Sequence, residues 1–157
     1  PVPFIPGSRL SIEGYLRDSE VTDPVTGEPR IISFFPESEV SINFRQDITD
    51  WRVAWGIEVF KQGEVQAYRL AEIDTSEEGP WVDLFIETTA LPNNMKLQFW
   101  AANIFDGTVD RDRLFFGVPG DGDLSNDNRN FPLFRRDLRQ RTFAEAPWFI
   151  VILSGQF

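Results

Sequence analysis

The chain has no cysteine and no histidine among its 157 residues, and only one methionine and two tyrosines. Without cysteine there is no disulfide framework, thiolate metal site or thiol nucleophile. Without histidine the commonest general base and transition-metal ligand are missing. Most hydrolase mechanisms are excluded on that ground. Positive charge is scarce too: 15 Lys and Arg stand against 25 Asp and Glu, a formal charge of −10. That argues against nucleic acid as a partner, because phosphate-backbone binding depends on clustered Lys and Arg. No apolar run is long enough for a membrane-spanning helix, and no stretch reads as a signal peptide. The first residue is Pro1, so the sequence reads as processed or as cut from something longer. No cofactor is expected, and no nucleophile has an activating partner, so an enzyme is not expected either.

What the chain does have is alternation, and 15 Phe with five Trp to fill it. No segment sustains a helical 3.6-residue pattern, and the composition favours strands, so the fold class is all-β. The most apolar stretch is the last, Trp148 to Phe157, where Phe149, Val151, Leu153, Gly155 and Phe157 share one face. A terminus normally frays into water, so a terminal Phe needs a core or lipid to rest on. Upstream, residues 9–17, 40–45, 53–59, 81–89 and 96–105 alternate in the same way, which makes about six strands. Residues 65–73 read as a hairpin overhang within a long connection.

Reading back from the end, the connections run long, short, long, short, long. A membrane barrel has this rhythm, with tight periplasmic turns and long outer loops, whereas no rule imposes it on a soluble sandwich. The fold expected is an antiparallel up-and-down meander, the C-terminal part of a transmembrane β-barrel. Its long outer loops would lie at residues 18–30, 61–80 and 106–147, and its short turns near 47–50 and 91–94. Lipid offers no hydrogen bonds, so spanning strands must pair with one another and turn apolar side chains outward. The lipid-facing set is then Val40, Ile42, Phe44, Val53, Trp55, Ile57, Val59, Val82, Leu84, Ile86, Phe149, Val151 and Leu153. Ser41, Asn43, Arg45, Glu58, Asp83, Glu87, Gln98 and Gln156 would face the lumen. Trp51, Trp81, Trp100 and Trp148 near strand ends suit an interfacial girdle.

Three charged constellations invite a chemical reading. The run Asp121 to Asp127 resembles the start of a calcium loop, but Asn126 replaces the turn glycine and Pro132 stands where Glu is required, so a solvated loop is expected. Asp110-Arg111-Asp112-Arg113 describes a surface strand whose neighbours pair with it. Arg135, Arg136, Arg139 and Arg141 form the one basic cluster, a candidate rim for an anionic ligand or lipid phosphate. The alternative for these arginines is pairing with acidic residues of the same loop.

Asp18-Ser19-Glu20-Val21-Thr22-Asp23-Pro24-Val25-Thr26-Gly27, Phe44-Arg45-Gln46-Asp47, Trp55-Gly56, Tyr68-Arg69-Leu70, Ala102-Asn103-Ile104-Phe105-Asp106 and the closing Leu153-Ser154-Gly155-Gln156-Phe157 come in an ordered set. That set resembles the C-terminal part of TonB-dependent outer-membrane receptors. Asn103-Ile104-Phe105-Asp106 is similar to the family's N-L-F-D, with Ile for Leu, and Phe157 matches the terminal aromatic read by the barrel-assembly machinery. The resemblance implies a barrel of roughly 22 strands, of which residues 1–157 would supply the last quarter. The partners it implies are the rest of the barrel, a plug domain, outer-membrane lipid, and TonB acting through an N-terminal part not included here. It implies the outer membrane of a Gram-negative bacterium and uptake of a siderophore, cobalamin, haem or oligosaccharide. The competing expectation from the residues alone is a soluble secreted β-barrel or sandwich that binds a ligand or glycan through its aromatics.

Overall fold

The computed structural model describes residues 2–3, 5–118, 128–142 and 146–155. They form antiparallel sheet with two single-turn 3-10 segments and no α-helix. The main sheet has six strands, β1 (Ser8–Leu16), β4 (Ser38–Ile48), β5 (Val53–Gln62), β8 (Trp81–Thr88), β9 (Lys96–Ala102) and β12 (Trp148–Ser154), in that spatial order. Each pairs with the next long strand of the chain, so the six make an up-and-down meander. β1 and β12 lie at opposite edges and do not pair with each other, so the sheet stays open and no barrel closes.

At one end of this wall the connections are single turns. Thr49–Trp51 joins β4 to β5, with Arg52 in the left-handed region (φ 52°) and its amide donating to the Thr49 carbonyl. Pro92–Asn94 joins β8 to β9, with Pro setting the start of the turn. At the other end the chain makes three long excursions. The first carries a two-residue hairpin, β2 (Val21–Thr22) against β3 (Pro29–Arg30). The other two supply β6 (Val65–Tyr68), β7 (Glu72–Glu78), β10 (Thr108–Phe116) and β11 (Leu133–Thr142) to a second sheet.

The second sheet has the order β11-β10-β7-β6. Since β6 follows β5, β7 leads into β8, β10 follows β9 and β11 leads into β12, that order repeats the wall's β5-β8-β9-β12. The second sheet therefore prolongs four wall strands beyond the long-loop end. Residues 65–73 accordingly fall outside the wall, as an overhang should. The extent of strand within residues 106–147 is a correction, because beyond the surface strand at Asp110 to Arg113 that stretch was read as polar loop. β10 and β11 are held by ion pairs, and a strand with charges on both faces carries no hydrophobic period to read.

The cross-strand register places the side chains in rows. Leu10, Phe44, Ile57, Leu84, Ala101 and Phe149 lie opposite one another in turn across all six strands. The row below runs Gln46, Trp55, Ile86, Phe99 and Val151, and the next Ile48, Val53, Thr88, Leu97 and Leu153. One face of the wall is thus apolar, as strict two-residue alternation requires.

Candidate functional site

The apolar face covers no core. Val53, Trp55, Ile57, Leu84 and Ile86 do not meet in a dry interior: Ile86 is 51% exposed, and Phe149 and Val151 of β12 are 65% and 67% exposed. The chain's accessible surface is 10583 Å², against about 8,100 Å² for a water-soluble monomer of this mass. Buried apolar residues among those described are few, and four of them are Ala54, Ala67, Ala101 and Ala102.

Two residues of the expected outward set need correction or comment. Val82 shares the face with Ile42 and Val59 by register, but it is only 4% exposed. It sits at the long-loop end, and its burial, not its side of the sheet, is what departs from the exposed outward set. Trp55 lies beside a polar neighbour on the same face, and its indole N–H donates to the Gln46 amide oxygen at 3.0 Å. That bond satisfies both groups without water. The one lysine on this face, Lys61 opposite Val40, stands at the long-loop end and reaches away to Glu77 at 2.8 Å and the Glu78 carbonyl at 2.6 Å.

The opposite face is polar and holds a cleft of about 380 Å³ lined by Arg9, Asn43, Arg45, Glu58, Phe85 and Trp100, among others. Between Arg45 and Glu87, β5 presents only the small residues Gly56 and Ala54, both buried. This gap lets Arg45 on β4 cross β5 to Glu87 on β8 at 2.6 Å, and Lys96 on β9 completes the bridge to the same carboxylate. Phe85 stacks on Trp100 with centroids 5.5 Å apart and planes 12° apart. Trp100 is therefore a mid-strand residue of the polar face, which removes it from the girdle. Trp51, on a short turn, is exposed, and Trp148 starts β12 at the opposite end.

On the second sheet the basic cluster divides. Arg135, Arg139 and Arg141 alternate onto one face of β11, and Arg136 points to the other. Arg136 pairs with Asp112 at 2.6 Å and Arg139 with Asp137 at 2.9 Å. The Arg135 guanidinium lies 4.1 Å from the Phe115 ring centroid. The four do not converge on one anion, and pairing within the excursions accounts for two of them. The Asp110 to Arg113 run behaves as expected of a paired surface strand. Arg111 binds Asp74 through two of its guanidinium nitrogens, Nε and one Nη, and Arg113 binds Glu72. Burial pushes the Glu72 carboxyl up, but Arg113 and Arg69 outweigh it and hold the group below its ordinary value. Asp74 is lowered mainly by its bond to Arg111.

The reading of the sequence missed a knot that ties the three excursions together. Asp23, 2% exposed, accepts the Val25 and Thr26 amides at 2.8 and 3.0 Å, the Arg30 Nε at 2.6 Å and an Arg129 guanidinium nitrogen at 2.6 Å. The turn closes because Gly27 takes φ 75° and donates its amide to the Asp23 carbonyl. Arg30 and Arg129 both stack on the ring of Tyr68, at 4.7 and 5.3 Å. Burial alone would raise the Asp23 carboxyl, yet the donors from Thr26, Arg129, Val25 and Arg30 bring it well below the usual carboxylate range. Desolvation raises the Tyr68 phenol. Asp-Pro-x-x-Gly was legible as a turn; that its carboxylate meets an arginine 106 residues away was not.

Compared with protein-family models, curated proteins and solved structures, the chain matches none. Among the described residues no group of three or more carboxylates is placed to hold a metal ion. The run Asp121 to Asp127, Gln156 and the terminal Phe157 lie outside the described residues. Among the described residues no helix is long and apolar enough to cross a membrane, which says nothing about strands.

Proposed function

We propose that the chain is the C-terminal wall of an outer-membrane β-barrel, and that it serves a TonB-dependent receptor in energised uptake of a small ligand. The observation that carries this reading is the apolar face of the six-stranded sheet, continuous in register from β1 to β12 and left uncovered. A monomeric soluble protein rarely exposes an apolar patch of this extent, and lipid is the environment that accepts it. β1, β4 and β5, with 9, 11 and 10 residues, meet the roughly 9–11 residues a tilted strand needs to cross hydrocarbon. β8, β9 and β12 are shorter, at 8, 7 and 7.

The open edges support the same reading. β12 reads Trp-Phe-Ile-Val-Ile-Leu-Ser, with no charge and no proline to blunt it. A natural sheet protects an edge it leaves in water, so such a strand calls for a neighbour, which the remaining wall of a larger barrel would supply.

The test is extraction. A barrel wall will partition with outer membranes, require detergent, and shift its mobility on a gel after boiling. A monodisperse monomer in plain buffer would reject the proposal in favour of the soluble ligand-binding module.

A further inference from the structure

The polar face of the wall sets two pairs of like charges directly opposite one another, an arrangement that destabilises a sheet unless something neutralises it. Arg9 on β1 faces Arg45 on β4, and Glu58 on β5 faces Asp83 on β8. One member of each pair is accounted for. Arg45 binds Asp47 at 2.8 Å and Glu87 at 2.6 Å. Asp83 accepts the Asn103 amide at 3.0 Å and the Trp100 indole N–H at 3.3 Å. The side chains of Arg9 and Glu58 make no ion pair among the described residues.

Both of these spare charges line the same cleft of about 380 Å³. Their backbones stand two strands and one row of side chains apart, about 12 Å. The cleft is therefore dipolar, with an unspent cation beside a second guanidinium at one end and an unspent anion opposite a second carboxylate at the other. Its floor is aromatic. Phe85 lies over Gly56 and stacks on half-buried Trp100. The Trp100 N–H is already committed to Asp83, so what the indole offers the cleft is its ring.

We propose that this cleft binds a small zwitterion carrying an apolar ring, an aromatic α-amino acid being the simplest, with its carboxylate on Arg9, its ammonium on Glu58 and its ring against Trp100. The planar fork of Arg9 matches a carboxylate, and Arg45 beside it adds to the positive field there. At the other end Asp83 adds to the negative field of Glu58 and favours a cation. A ring gains by stacking on the indole. A ligand with one charge answers only one end, so the pair of charges is what selects. The cleft lies on the polar face whichever environment meets the other face, so the proposal goes beyond the barrel reading and does not depend on it.

Calorimetric titration of the full chain tests this, in plain buffer or detergent, whichever keeps it monodisperse. L-phenylalanine should bind saturably, and 3-phenylpropionate, without the ammonium, and phenethylamine, without the carboxylate, should each bind about fivefold more weakly. Arg9→Gln should weaken phenylalanine by about fivefold and leave phenethylamine unchanged, whereas Glu58→Gln should weaken phenylalanine equally and spare 3-phenylpropionate. Both side chains are exposed, so neither substitution threatens the fold. Glu13→Gln, on the same face of β1 but outside the cleft, should change nothing. No saturation up to about 10 mM phenylalanine overturns the proposal. Equal affinity for the three compounds overturns it too, since that is ring adhesion alone, as does equal weakening by Glu13→Gln. The need for detergent is measured separately, so the cleft and the barrel reading can fail independently.

Discussion

Gly56 has Phe85 lying across it. A Cβ at that position would stand 2.4 Å from the Phe44 carbonyl oxygen and 2.4 Å from the Phe85 ring, so the absence of a side chain is what lets the ring settle and Arg45 span β5. Gly56→Ala should therefore cost about 1–3 kcal/mol by overpacking, read as a lower urea midpoint for the wall. An unchanged midpoint would mean that the ring is free to move aside. The Trp55-Gly56 pair was legible in the sequence as part of a strand. That the glycine faces Phe85, and the indole faces outward to Gln46, needed the register of β4, β5 and β8 together.

At the scale of elements, the strands of the wall were legible because one face of each is apolar and the period of two is plain. β11 was not, and β10 only as the short charged run Asp110 to Arg113, since charges alternate with charges and only the partner strand shows which pair. The second sheet's carboxylates give it a pH dependence. Glu72 and Asp74 both have folded values below their ordinary ones. Their contribution is therefore complete above the unfolded carboxylate range, roughly pH 4, and is lost as the pH falls through the depressed folded values. Exchange protection in β7 and β10 should hold from neutral pH to about pH 5 and decline below pH 4. Protection there that stayed unchanged down to about pH 3 would contradict this.

For the whole molecule, the proposed barrel wall turns on which face would meet lipid. Ile86 sits mid-strand on the apolar face, and Asn43 mid-strand on the polar one. Ile86→Arg should destabilise the chain in lipid vesicles by about 2–4 kcal/mol, the depth-dependent cost of a cation in hydrocarbon, and Asn43→Arg should be nearly neutral. Equal effects, or the reverse order, would mean that the apolar face is covered by protein.

The sequence by itself determined the fold class, the six wall strands, the face each residue takes and the alternation of short and long connections, because a two-residue period and turn chemistry are local properties. Tertiary structure alone decided what the polar excursions do: that they prolong the wall as a second sheet, and that Asp23 draws Arg30 and Arg129 onto Tyr68. The reason is physical. An apolar side chain declares its environment by its own chemistry, whereas a charge is satisfied by any opposite charge within reach, and only the folded chain determines which one that is.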